Sequence, residues 1–138
     1  MTRREERELA LALLFEWSYD RERTLNDIYD TAKAVRGAEE GSYTRRVVLG
    51  VEKERAALDA VINDNAKGWK LNRISRVSMA VLYLAAYEML YCEDIPVRVS
   101  LNEAIELAKQ YDNDKAYAFV NGVLNAVAQK AEAGRTAK

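Results

Sequence analysis

Arginines open this chain at helical spacing. Arg3 and Arg7 stand four apart, and Arg4 and Arg7 three apart, so a helix gathers them on one edge. Such an edge of guanidinium groups can hold phosphates bidentately. Glu5, Glu6 and Glu8 interleave with them. Acids in a first helical turn suit the helix dipole without any ligand, so a solvated, charge-balanced helix start is the competing reading. Much later, Tyr111 lies beside Asp112-Asn113-Asp114, with Lys109 and Lys115 on either side. A ring between lysines can stack a base and hold its phosphates. It can equally close a core.

Catalysis finds little here. The sequence contains no histidine, which removes the usual general base near neutral pH and every histidine-dependent metal or nucleophile site. Glu103 and Glu106 are three apart and read best as a capping glutamate plus a solvated one. Gly37 and Gly41 lack the following Lys-Ser or Lys-Thr of a phosphate loop. Cys92 is alone, so no intrachain disulfide can form, the thiol reads as packing or surface, and a reducing cytoplasm fits. Asn121 interrupts an apolar stripe; if buried it needs a partner, a helix–helix hydrogen bond before a ligand. No catalytic residue, metal or cofactor is expected.

Few breakers punctuate the chain: one proline, Pro96, and six glycines among 138 residues. Long helices are favoured over many short strands. Net charge is -1, and basic and acidic residues stay balanced along the chain. Bulk electrostatics therefore do not point to nucleic acid, and any RNA site must be a local patch. No apolar run reaches the roughly 20 residues of a membrane span, and the charged start is unlike a signal peptide.

The periodicity predicts an all-α protein. A first helix runs from about Arg4 to Tyr19 with Ala10, Leu13, Leu14 and Trp17 inward. Thr24 caps a second, with Leu25, Ile28, Ala32 and Val35 inward and Gly37 at its end. Ser42 caps a third reaching Ile62. After a short turn near Trp69–Ile74, Val77 to Tyr91 is apolar on nearly every side, the mark of central burial or a partner contact. Ser100 and Glu103 form a capping box for the next helix, with Ala104, Ile105, Ala108 and Tyr111 on one stripe. Phe119, Val120, Val123, Leu124 and Val127 make the last stripe. The chain reads as one domain, residues 1–138, with subdomains of about 1–68 and 69–131 and a frayed tail at 132–138.

Two segments carry a resemblance. Val99-Ser-Leu-Asn-Glu-Ala-Ile-Glu-Leu-Ala-Lys109 followed by Phe119-Val-Asn-Gly-Val-Leu124 resembles the C-terminal half of the NusB family of transcription antitermination factors. Arg3-Arg-Glu-Glu-Arg-Glu-Leu-Ala-Leu-Ala-Leu-Leu-Phe15 looks like that family's opening. Trp69, Arg73-Ile74, Ala80-Val-Leu82 and Ile95-Pro-Val97 match between them, while residues 20–65 match weakly.

The resemblance implies a compact seven-helix bundle of two subdomains. It implies a non-enzymatic adaptor that binds boxA RNA together with the ribosomal protein NusE and joins the antitermination complex on RNA polymerase. Carried over by position, RNA contacts fall on Arg3, Arg4, Arg7, Phe15 and Tyr111, with Lys115 assisting from a loop position that is acidic in some members. The NusE-facing surface falls around Ser78, Val81, Leu82 and Tyr83; with Met79, Leu82 and Tyr83 it is expected to be an exposed apolar strip. Glu5 and Glu6 make the start less basic than is usual. Some family members dimerise, so a homodimer is open. Rival readings are the NusB-like first domain of an RNA cytosine methyltransferase and a protein–protein module with little RNA binding.

Overall fold

The computed structural model describes residues 1–20, 22–36, 42–66 and 74–136, with Arg36 and Asp114 by backbone alone. Seven helices follow one another among them: α1 (Arg3–Tyr19), α2 (Leu25–Arg36), α3 (Tyr43–Lys53), α4 (Arg55–Asn65), α5 (Arg76–Tyr91), α6 (Val97–Tyr111) and α7 (Asp114–Thr136). Among the described residues no strand forms, and no helix is long and apolar enough to cross a membrane. The expected turn near residue 69 and the helix end at Gly37 lie outside the described residues, Ile74 excepted.

Local chemistry starts most of these helices. Thr2 accepts from the Glu5 amide while the Glu5 carboxylate accepts from the Thr2 amide, a complete capping box for α1. Thr24 accepts from the Asp27 amide at the head of α2, and Ser42 from Arg45 at the head of α3. Ser75 caps α5 by accepting from Ser78.

α5 is the axis of the fold. It packs against α1, α3, α4, α6 and α7. Leu84 and Ala85 of α5 and Phe119, Val120, Val123, Leu124 and Val127 of α7 are all buried in one core. A buried leucine or phenylalanine contributes about 1.5–3 kcal/mol through water exclusion, so this α5–α7 contact is a large share of the stability.

Four expectations are corrected. The third helix is two, because Glu54 closes α3 onto the Gly50 carbonyl and α4 restarts at Arg55. Ser100 is no cap: α6 begins three residues earlier, behind Pro96, whose fixed φ and missing N–H suit a helix start. Val35 points to solvent, 78% exposed, one turn beyond the buried Ala32. The tail is helical to Thr136, and Ala131 is buried. Arg135 fastens it by donating to the carbonyls of Ile95 (2.7 Å), Met89 (2.9 Å) and Cys92 (3.0 Å). The last carbonyls of a helix have no partner within it, and Arg135 supplies donors from across the fold to that of Met89 in the last turn of α5 and to those of Cys92 and Ile95 just beyond it.

Candidate nucleic-acid interface

The three arginines do not form one edge. Arg7 is buried. Its guanidinium donates twice to Glu88 of α5, from Nε at 2.8 Å and Nη2 at 3.0 Å. The same carboxylate accepts from Ser100 at 2.9 Å and from the Tyr43 hydroxyl. A charge this deep is tolerated only when paired and fully hydrogen-bonded. Arg7 is therefore a structural group joining α1, α3, α5 and α6, and its expected phosphate contact is withdrawn.

Arg3 and Arg4 remain at the surface. Arg3 lies over the Tyr43 ring, 4.3 Å from its centroid, a cation–π placement that orients it while leaving its charge in water. Arg4 donates to Glu103 of α6 from Nε (3.2 Å) and Nη2 (3.1 Å). That carboxylate raises the Arg4 pKa above its ordinary value, chiefly through the hydrogen bond. Exposed pairs of this kind are weak because water screens them, so a phosphate can compete for Arg4.

Tyr111 ends α6 and is 44% exposed. Its hydroxyl donates to Glu8 of α1 at 3.0 Å, and this bond pushes the phenol pKa upward. Phe15 is half-buried and meets Tyr19 edge-on at 5.1 Å. Glu8, Leu11, Ala12, Phe15, Val77 and Tyr111 line an open cleft of about 260 Å³. So α1 and α6, bridged at the surface by Arg4–Glu103 and Glu8–Tyr111, bring the two expected aromatics to one opening. Lys115 is exposed on the first turn of α7. Lys109 sits over the Tyr117 ring, at 5.4 Å.

Glu8 was missed as part of this site, because its sign argues against RNA. The signal was its spacing: Arg4, Glu8, Leu11 and Phe15 repeat at four, three and four residues and share a helix face. Asn121 is half-buried and bonds within its own helix, accepting from the Asn125 amide nitrogen at its side-chain oxygen (2.9 Å).

The expected partner strip is also corrected. Ser78, Leu82 and Tyr83 are buried, as is Val81. The Ser78 hydroxyl donates to Asp112 and the Tyr83 hydroxyl to Asp59. Met79 keeps partial exposure. α5 is wrapped by neighbours on so many sides that its polar tips are used to tie them on.

The NusB family model matches residues 4–129. A transcription antitermination protein NusB of Clostridium botulinum (strain Loch Maree / Type A3) is 40% identical, covering 90% of this chain and 97% of the relative. One from Ruminiclostridium cellulolyticum is 41% identical over 94% of this chain and 90% of its own. The solved structure of T. maritima NusB superposes with a TM-score of 0.81 at 32% identity, covering 94% of this chain and 92% of that one. A crystal structure of antitermination factors NusB and NusE in complex with dsRNA shares the fold, with a TM-score of 0.79 at 21% identity over 94% and 99%. Helix order, core and likeness over nearly the whole length agree: this chain belongs to the NusB family.

Proposed function

We propose that this protein is a transcription antitermination factor that binds boxA-type RNA together with NusE. It works with RNA polymerase, in the cytoplasm, to support processive transcription of ribosomal-RNA operons. The observation that carries this reading is the roughly 40% identity to transcription antitermination proteins over 90% of the chain. That these relatives are transcription antitermination proteins favours an adaptor over the methyltransferase-domain reading. The protein acts by holding partners and does no chemistry of its own. The helices form a single domain, with the N-terminal group seated on the C-terminal group through α1 and α5.

RNA contacts are assigned to the surface that α1, α6 and the start of α7 share. Arg3, Arg4 and Lys115 face phosphates, and Phe15 and Tyr111 offer stacking surfaces for unpaired bases. NusE docks through side chains other than the buried Ser78, Leu82 and Tyr83. The test is filter binding of boxA RNA with and without NusE, at several salt concentrations. Each neutralised phosphate adds about 0.7 to the log–log salt slope for single-stranded RNA. Arg4→Ala should flatten the slope by about that amount, and Tyr111→Ala should weaken binding without flattening it. RNA binding absent even with NusE leaves the protein–protein module as the surviving reading.

A further inference from the structure

Glu8 poses a problem for any RNA surface here. It is one helical turn from Arg4, half-exposed, and it lines the same cleft as Phe15 and Tyr111. A carboxylate among phosphates repels them. It becomes useful only by accepting hydrogen bonds from donors the ligand brings.

The cleft supplies the conditions for that. Leu11, Ala12 and Val77 give it an apolar lining, and a base seated there would shield its contact with Glu8 from water, where a polar contact is strengthened. Tyr111 holds Glu8 Oε2 at 3.0 Å, which fixes the carboxylate in place. A carboxylate has room for roughly four hydrogen bonds, and among the described residues Oε1 accepts none. The aromatic rings border the cleft at Phe15 and Tyr111, where an unstacked base finds a face to rest on.

Base chemistry then narrows the ligand. Uracil shows one ring N–H between two carbonyls, which a carboxylate repels. Adenine and cytosine show one amino group beside an acceptor nitrogen. Guanine presents N1–H and the 2-amino group side by side, the two-donor edge that a carboxylate accepts bidentately. Resting on the antitermination reading above, we propose that Glu8 is a specificity-determining residue. Its carboxylate reads the Watson–Crick edge of one unpaired guanine held against Tyr111 and Phe15.

The experiment uses the full chain with NusE and short single-stranded uridine-rich RNAs carrying one guanosine at successive positions. The same RNAs are made with inosine, which lacks the 2-amino group, or uridine in its place. The wild type should prefer guanosine at one position by on the order of tenfold, the discrimination of one good bidentate contact. Glu8→Gln should remove that preference and weaken the guanosine RNA alone. Glu5→Gln deletes the same charge from the capping box outside the cleft, and should leave the preference intact. The inference is overturned if the wild type binds guanosine and uridine RNAs alike. It is overturned too if Glu8→Gln tightens every RNA equally, which makes the carboxylate a mere repulsive charge, or if Glu5→Gln abolishes the preference as well. A wild type that binds none of these RNAs, nor boxA RNA, overturns the antitermination reading itself.

Discussion

Replacing Arg7 by alanine should damage the fold far more than any RNA contact. Arg7 and Glu88 side chains are 5% and 2% exposed and 2.8 Å apart. Truncation leaves the Glu88 carboxylate with Ser100 and Tyr43 alone, deep among four helices. Removing one partner of a buried pair costs about 3–5 kcal/mol, a large part of the roughly 5–15 kcal/mol that holds a domain folded. At about 3–4 °C per kcal/mol for a chain of this length, the melting midpoint should fall by on the order of 10–20 °C. Urea unfolding followed by circular dichroism reads the same loss as a lower midpoint at unchanged slope. Arg7→Met combined with Glu88→Gln removes both charges yet keeps an oxygen for Tyr43 and Ser100, and should recover at least half the loss. That double variant should bind RNA with the wild-type salt slope. An Arg7→Ala protein within about 1 kcal/mol of wild type, an effect typical of an ordinary substitution, would refute the burial argument. A slope reduced by about 0.7 in the double variant would return Arg7 to a phosphate.

Further outcomes follow from the packing around α5. A methyl group at Gly50 would collide with the Tyr87 ring, so Gly50→Ala should cost about 1–3 kcal/mol by overpacking and disturb the stacked Tyr87–Tyr91 pair, which near-ultraviolet dichroism reports. Arg135→Ala should release the end of α7 at a cost of about 1–3 kcal/mol, with faster amide exchange over residues 130–136 than over 119–127. Burial pushes the Cys92 thiol up from 9.0 to about 11. Its neutral form is favoured in the fold, so that stabilisation is complete below pH 9 and lost as pH rises toward 11. Cys92→Ala should show a smaller fall in stability over that window, and native protein at pH 8 should resist thiol alkylation until urea unfolds it.

What could be read from the sequence was local or periodic. Thr24 and Ser42 were legible as caps because the capping acceptor and its amide lie three residues apart. The Phe119–Val127 stripe was legible because one helix face carries its whole pattern. The split at Glu54 was not, since no proline or glycine marks it and the apolar stripe runs on through both helices. Ser100 failed as a cap for an instructive reason: a serine three residues before a glutamate fits a capping box equally well when its hydroxyl is needed by a buried carboxylate. Tyr83 misled for the same reason. Its position on an all-apolar helix says that some side must be exposed, but only the surrounding helices decide which. α4 and Asp59 cover it.

The six charges that open the first helix, Arg3 to Glu8, show most clearly where single-sequence reasoning stops. Their alternation reads as a wash, two signs cancelling on a solvated turn. In the fold, each of the six has a different role. Glu5 closes the capping box at Thr2. Glu6 accepts from the Tyr43 amide at 3.0 Å and so begins α3. Arg7 enters the core to meet Glu88. Arg3 rests on Tyr43, Arg4 reaches Glu103, and Glu8 holds Tyr111. Apart from the Thr2–Glu5 box, these partners lie between 37 and 103 positions away in the chain. Net charge could not distinguish the roles, because it sums groups that burial and partners make unequal. Three of the six, Glu5, Glu6 and Arg7, are taken up by the fold. What is left on the outer face is Arg3, Arg4 and Glu8, two cations and one fixed carboxylate beside a cleft with aromatic residues at its border. A surface meant only to attract phosphate gains nothing from that carboxylate; a surface that must also choose among bases does.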